Sequence, residues 1–449
     1  MKLINKPLQQ VNSVPSRDNL KWSVWNEIIR VDDDNVVIFN TYTQAAILVN
    51  SDEYTSIIDL RCGIEEAWKN GFFVASDVDE YAHQNKKFIE GKKDLSYIDF
   101  TILLTHDCQM QCVYCFEGEK EHVVLNEKTS KAILDFLDYH RFGLKKLRVT
   151  WFGGEPLLAY SQLKDISRRL IDYCVANDIE YISDITTNGF ALSEIRCHEL
   201  VNELKVKRYI ITLDGPEQIH NLRRPLRHGY PSFRIIWKNI GLLLNESAQV
   251  TIRMTIDCEN VKYVTTFLDM MASSSYAGKV GLSFCRTIDY NFTPAQVKNS
   301  LFSEQEFADV EWKFIQYAHK LKLWSYRFPH AAPNGGCLRD GDIVIGANGD
   351  IYKCLDTIGN SQWISGHISD TNCSSYPEWY QKWLDWTPME SPSCKKCKLQ
   401  PLCSGGCPHN ALFNDKMHGT DQQCPDWKYN YKRQIVALVK EEYLKDEKV

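Results

Sequence analysis

Cysteine placement constrains this chain more than any other feature. Sixteen cysteines occur in 449 residues, and ten of them fall into two clusters. The first is Cys108, Cys112 and Cys115, spaced C-x3-C-x2-C. The second is Cys337, Cys354, Cys394, Cys397, Cys403, Cys407 and Cys424, spaced C-x16-C, then C-x2-C-x5-C-x3-C, then a final Cys. The first twenty residues hold no apolar stretch of the kind a secretory signal needs, and no apolar run approaches the ~20 residues of a membrane span. A cytoplasmic location is therefore expected, with no membrane partner. Thiols stay reduced there, so clustered cysteines point to metal or redox chemistry, not to a disulfide framework.

The rest of the composition is that of a globular protein, with 44% hydrophobic and 24% charged residues. The length suggests about three domains. A net charge of -6 argues against a general polyanion binder, so no nucleic-acid partner is expected. Residues 1–100 carry 11 basic and 16 acidic side chains, a balance of 11 − 16 = -5. That balance suits a binder of basic peptide segments, and equally a plain soluble domain.

Residues 1–20 read as a polar, loose arm. Short β-branched runs at 28–31, 36–39 and 46–49, separated by turn residues, predict a small β meander, followed by helices over 53–69 and 77–91. This gives a compact αβ, winged-helix-like module over 1–95. From 96 to 325 the chain alternates. Strands are predicted at 99–105, 146–151, 180–186, 207–213, 249–256 and 279–285. Helices are predicted near 127–141, 160–177, 193–204, 233–245 and 260–273, with a longer one over 303–324. Six strands with helical crossovers imply an α/β fold of parallel βα units, either a partial barrel or an open doubly wound sheet. Both bind ligands beyond the C-terminal ends of the strands. Residues 326–449 are Cys-, Gly- and Pro-rich until a charged helix over 425–447, and such a segment ordinarily needs metal staples.

The first cysteine loop follows the first strand of the alternating region. Three thiolates there can hold three irons of a cubane cluster and leave one iron open. A zinc site completed by His106 is the competing reading. The next strand ends in Gly153-Gly154-Glu155-Pro156, where two glycines permit close backbone approach and Glu155 offers an acceptor for an ammonium group. The third strand ends in Thr187-Asn188-Gly189, and the fourth in Thr212-Leu213-Asp214-Gly215.

Taken as a set, the C-x3-C-x2-C loop with Tyr114 before its last Cys, then GGEP, TNG and LDG, resembles the radical S-adenosylmethionine (SAM) enzymes. The resemblance covers roughly 98–290 and implies a partial (β/α)6 TIM-like barrel. It implies a [4Fe–4S] cluster on Cys108, Cys112 and Cys115 whose open iron binds SAM, with Tyr114 beside it. It further implies that Gly153, Gly154 and Glu155 hold the methionine amino group. Thr187, Asn188 and Thr212 would line the ribose and carboxylate, and Arg234 or Arg253 would pair with the carboxylate.

The seven later cysteines resemble the SPASM extension of radical SAM enzymes that modify peptides and proteins. That implies a C-terminal iron–sulfur domain with two auxiliary [4Fe–4S] clusters, making three in all. One would use Cys394, Cys397, Cys403 and Cys424. The other would use Cys337, Cys354 and Cys407, one cysteine short of a full set; its fourth ligand would be a protein carboxylate or His, water or a substrate thiolate, with Cys373 a more distant candidate. Of the remaining cysteines, Cys174, Cys258 and Cys285 read as buried core. Asp356 stands where sulfatase-maturating relatives have their base.

The first 95 residues resemble, in shape and position, the leader-recognition domains of peptide maturases, which take an extended peptide as an added strand. The resulting expectation is a maturase of a ribosomally made precursor peptide, bound through its leader. It would use a 5′-deoxyadenosyl radical to form a thioether or carbon–carbon cross-link. Its electrons would come from a flavodoxin or ferredoxin. Oxidation of a Cys or Ser to formylglycine, as in anaerobic sulfatase maturation, is the alternative.

Overall fold

The computed structural model describes residues 1–7, 16–115, 117, 122–289, 295–330, 337–370, 376–413 and 424–444. Cys373 lies outside these residues.

The N-terminal strands are β1 (Lys2–Asn5), β2 (Leu20–Trp22), β3 (Asn26–Arg30), β4 (Asn35–Asn40), β5 (Ala46–Asn50) and β6 (Phe73–Ala75). Two short-range carboxyl and carboxamide turns shape the meander β3–β5. The Asp32 carboxylate accepts from the N–H groups of Asp34 and Asn35 at 3.0 and 2.8 Å. Asn40 accepts from Tyr42 and Thr43 at 3.0 and 2.8 Å, so each strand end reverses locally. The expected loose arm is not loose throughout. β1 pairs antiparallel with β5, giving the sheet order β1-β5-β4-β3, while β2 and β6 form a separate pair. Leu3 and Ile4 point to opposite faces of the sheet and join the apolar cores there.

The helix expected over 53–69 is two helices, α1 (Ser51–Ile58) and α2 (Ile64–Lys69), because Leu60 and Gly63 take left-handed conformations at φ 56° and 66°. After β6 comes α3 (Glu80–Lys93), capped by the Asp79 carboxylate on the Ala82 N–H at 3.0 Å. Period-two alternation gives the meander two apolar faces. Val36, Ile38, Ile47 and Val49 pack under α1 and α2, with Ile57, Ala67 and Trp68. Ile29, Val37, Phe39 and Leu48 pack on Leu399, Leu402, Ile435 and Val439 from the C-terminal region. The module is thus joined to the far end of the chain through a shared core.

The central sheet holds six parallel strands in chain order: β7 (Tyr97–Leu103), β8 (Lys146–Phe152), β9 (Glu180–Thr187), β10 (Val206–Thr212), β11 (Gln249–Ile256) and β12 (Gly281–Arg286). Between them run α4 (Glu127–Tyr139), α5 (Tyr160–Ala176), α6 (Glu194–His198), α7 (Glu217–Arg223), α8 (Phe233–Asn245) and α9 (Val264–Ala272). After them come α10 (Ala295–Lys298) and α11 (Glu304–Lys320). This is the parallel-strand architecture of a partial barrel. On β11, Val250, Ile252, Met254 and Ile256 are buried on one face, and Thr251, Arg253 and Thr255 occupy the other. Near the strand N-termini Arg148 pairs with Asp184 at 2.7 Å and Asp99 at 3.5 Å, and Arg208 joins Asp184 at 2.7 Å.

The Cys-rich region adds β13 (Asp342–Ile345), β14 (Asp350–Tyr352) and β15 (Gly366–His367) to this sheet. β13 lies parallel to β7, with Asp342 beside Asp99 and Ile345 beside Ile102. Metal is therefore not the sole organiser of this region, because the open backbone edge of β7 supplies a template. Cys337 and Cys354 flank the resulting hairpin. Short helices α12 (Glu378–Asp385), α13 (Gln400–Cys403) and α14 (Pro408–Leu412) follow. The final helix, α15 (Tyr431–Glu442), is shorter than the 425–447 expected, with a single turn over 426–429 before it.

Candidate active site

A cavity of about 340 Å³ opens at the C-terminal ends of the parallel strands. Cys108, Cys112, Tyr114 and Cys115 reach it from the loop after β7, and Gly153 and Gly154 from the end of β8. Thr187 and Asn188 come from β9, Thr212 from β10, Arg253 and Thr255 from β11, and Cys285 from β12. Parallel strands put all their C-terminal ends on one side of the sheet, so residues far apart in sequence converge there.

Gly153 and Gly154 line the cavity, and contacts to the cysteine loop also require glycine at both positions. A Cβ on Gly153 would lie 2.3 Å from the Thr105 carbonyl oxygen, and one on Gly154 would lie 2.4 Å from that of Asp107. Gly153 also has φ 129°, in the region that favours glycine. The pair lets the end of β8 press against the cysteine loop, where Gly154 and Glu155 N–H groups donate to Thr105 and Asp107 at 3.0 and 2.9 Å.

Glu155 corrects an expectation. Its side chain is fully buried and is absent from the cavity lining. The carboxylate accepts from the Leu157 N–H at 3.0 Å, the Thr187 hydroxyl at 2.6 Å and the Asn188 N–H at 2.7 Å. It is a tie between β8 and β9, already occupied, and not an open acceptor for an ammonium group. Burial pushes its carboxyl up, opposed by these hydrogen bonds.

The cysteine loop is laced to the segment after α7. Gln111 and Val113 N–H groups donate to the carbonyls of Pro225 and Arg223 at 2.9 and 3.0 Å, and Arg227 pairs with Asp107. The Cys108 sulfur accepts from the Met110 N–H at 3.4 Å and from the Asn188 carboxamide at 3.9 Å. Tyr114 donates to Asp214 at 2.6 Å and accepts from Arg224 at 2.9 Å. Beneath it Arg223 forms a two-point pair with Asp257 at 3.1 and 2.8 Å. Two acids thus balance two buried guanidinium groups. His220 beside them is held well below the usual histidine range by burial and by Arg224.

Of the two cations expected to meet a carboxylate, only Arg253 reaches the cavity. Arg234 is 84% exposed on α8 and pairs with Glu217 at 2.7 Å. Its place near the LDG segment in sequence does not bring it to the strand ends. Arg224 lines the cavity and was not anticipated. The Nε atoms of Arg224 and Arg253 are both buried without a hydrogen-bond partner. Buried orphan donors of this kind fit an anionic ligand group such as the carboxylate of SAM. Strand alternation could have flagged Thr255, two residues after Arg253, but no local signal marks Arg224. Cys285 lines the cavity and Cys258 is exposed, so neither is the core residue expected. Cys174 is buried as expected.

Leu355 and Asp356 line the same cavity from the C-terminal region. Asp356 also lies close enough to push up the thiols of Cys337 and Cys354, though burial is the larger cause. Cys407 pushes on the same two thiols, so these three cysteines and Asp356 form one group. A second group is Cys394, Cys397, Cys403 and Cys424. Burial first, and then its three neighbours, push the Cys403 thiol up to about 12. Lys428 donates to the Cys424 sulfur at 3.2 Å. Among the described residues no three His, Cys, Asp or Glu side chains close around a point as for one bound ion. Three thiols beside the cavity and two further thiol groups match the donor chemistry of iron–sulfur clusters.

Fold and site together define a radical SAM domain: residues 102–271 match the Radical SAM superfamily. The chain is 23% identical over 385 residues to a serine-type anaerobic sulfatase-maturating enzyme of Bacteroides thetaiotaomicron, covering 74% of this chain and 87% of that one. In fold it resembles the anaerobic sulfatase-maturating enzyme anSMEcpe with bound AdoMet and a Cp18Cys peptide, at TM-score 0.56 and 17% identity, over 76% of this chain and 98% of that one. It also resembles Streptococcus suis SuiB bound to precursor peptide SuiA, at TM-score 0.50 and 13% identity, over 89% of this chain and all of that one. Among the described residues no helix is long and apolar enough to cross a membrane.

Proposed function

We propose that the protein is a radical SAM maturase that oxidises a residue of a peptide and forms a thioether or carbon–carbon cross-link within it. The observation that carries this reading is the shared cavity. Thiols and strand ends of the barrel line it together with Asp356, which belongs to the group around Cys337, Cys354 and Cys407. A radical centre and a second redox centre would then face one substrate.

In this reading Cys108, Cys112 and Cys115 hold the cluster that binds SAM. Cys394, Cys397, Cys403 and Cys424 hold one auxiliary cluster, and Cys337, Cys354 and Cys407 the other. When bound, these groups supply a deoxyadenosyl radical that removes one hydrogen atom and an acceptor for the second electron. The chain's own residues do the positioning. Arg253 and Arg224 orient the SAM carboxylate. Gly153 and Gly154 would flank its amino group, on a strand end that Glu155 ties to β9. Thr187, Asn188 and Thr212 flank the ribose. Asp356 can take the proton that leaves a substrate thiol or hydroxyl. Residues 1–95 form the peptide-recognition module, 96–325 the barrel and 326–449 the SPASM domain. The external electron donor is a flavodoxin or ferredoxin.

The second reading is formylglycine formation on a Cys or Ser of a protein. The sulfatase-maturating relatives and the cavity position of Asp356 favour it. One experiment separates the two. The reconstituted enzyme is incubated without oxygen with SAM, a reductant and either the small peptide encoded beside its gene or an 18-residue sulfatase-type Cys peptide. Both reactions remove two hydrogens from the substrate. Thioether and formylglycine formation differ in sulfur, which the first retains and the second loses from a Cys substrate. A two-hydrogen loss with sulfur retained and a cross-linked fragmentation pattern supports the first reading. An aldehyde on the sulfatase-type peptide alone overturns it.

A further inference from the structure

In the N-terminal sheet the edge of β5 is already taken and is not free for an added strand. On one side β5 is paired with the chain's own β1, whose Ile4 carbonyl accepts from Tyr443 at 3.4 Å. On the other side, Glu27 of β3 is held by Tyr431 at 3.2 Å and by Lys432 at 2.8 Å, both from α15. A peptide recognised by this module needs a place other than the β5 edge.

The module carries one. A cavity of about 280 Å³ lies between β6, the Asn40–Thr43 turn, α2 and the first turn of α3. Its walls are largely aromatic, with Trp25, Tyr42, Trp68 and Phe73. The polar groups around it are mostly spent on one another. Ser23 donates to Glu80 at 2.5 Å, and Asn40 donates to Asn26 and to the Gly71 carbonyl, both at 2.8 Å. Trp68 is the exception. It is 8% exposed, lines the cavity, and its indole N–H is buried with no hydrogen-bond partner. Such a donor costs stability unless a ligand satisfies it. Beside it, β6 has β2 as its one strand neighbour among the described residues.

We propose that this cavity receives one apolar side chain of an extended peptide segment laid along the outer edge of β6, with a peptide carbonyl accepting the Trp68 indole N–H. The proposal rests on the reading of the protein as a peptide maturase and places substrate recognition at a second location, distinct from the barrel mouth. The aromatic walls select an aliphatic or aromatic anchor. Exposed Asp77 and Asp79 on the adjoining turn favour basic neighbours of that anchor. Ala75, half-buried on the cavity wall, is the position from which a larger side chain would fill it.

The test uses the full chain and a phage-displayed library of random dodecapeptides. Selected peptides are labelled with fluorescein, and their affinities are measured by anisotropy against the wild type, Ala75→Trp and Trp68→Phe. Thermal melting establishes that both variants fold, and Trp68→Phe keeps an aromatic side chain while removing the donor together with part of the indole ring system. The expected result is a family of peptides sharing one apolar residue. Their binding should fall about tenfold or more when that residue becomes Asp or when Ala75→Trp fills the cavity. A loss of about fivefold is expected in Trp68→Phe. Absence of any selected peptide, or wild-type affinity in both variants, overturns the proposal. The catalytic reading fails separately: peptides that bind in a Trp68- and Ala75-dependent way but are never modified uphold the cavity and sink the maturase.

Discussion

Glu155, at the end of β8, accepts a 2.6 Å hydrogen bond from the hydroxyl of Thr187, at the end of β9. With the Asn188 N–H on its other oxygen, this tie sets the spacing of two adjacent strand ends at the cavity. Thr187→Val keeps the shape and removes the donor. Its expected effect is a loss of about 1–2 kcal/mol in folding stability by denaturant titration. Weaker SAM binding should accompany it, measured by equilibrium dialysis, because Asn188 loses its fixed position.

Arg253 and Arg234 provide a paired test of placement. Arg253→Met is expected to weaken SAM binding at least about tenfold, because a charge-assisted hydrogen bond to a carboxylate is worth roughly 1.5–3 kcal/mol. Arg234→Ala should bind SAM as the wild type does, since an exposed pair with Glu217 contributes about 0–1 kcal/mol at most. Equal losses in both variants would contradict the cavity geometry.

The cysteine groups predict two separable losses. Ala in place of Cys108, Cys112 or Cys115 should remove about four irons per chain and abolish SAM cleavage. Cys397→Ala should also remove about four irons but leave SAM cleavage without product. Iron analysis, deoxyadenosine release and product mass, measured on the same samples, check both.

Burial raises the carboxyl of Glu311 on α11 to about 7, with the nearby Asp426 adding to the effect and Asn430 opposing it. An acid raised in the folded state favours folding below its unfolded value. Its contribution is lost as the pH rises from about 4.5 to about 7. At most about 3 kcal/mol is at stake. Glu311→Gln can still accept from the Asn430 carboxamide, and should flatten this part of the stability-against-pH curve. An unchanged slope would mean that Glu311 does not carry it.

Much of the barrel was legible because its rules are local. Strands such as Gln249–Ile256 show the period-two alternation of a sheet with one buried face, and the helices between them are amphipathic. The thiol loop and the strand ends were legible because cluster chemistry demands cysteines at short spacings. Other features depended on partners far away in sequence. Leu60 and Gly63 split a helix that periodicity alone would continue. Lys2–Asn5 reads as polar and loose until β5 offers it an edge.

By itself, the sequence determined which thiols stand at short spacings and the order of βα units. These follow from side-chain type and from spacing along one segment. Only the tertiary structure decided who meets whom. It placed Arg224 and Cys285 in the cavity and left Arg234 outside, and it spent the Glu155 carboxylate on β9. It also brought Asp356 to the barrel mouth by pairing β13 with β7. The physical reason is that a parallel sheet aligns strand ends from distant segments. Which side chains then face one cavity depends on register and burial, and neither is written in any single stretch of chain.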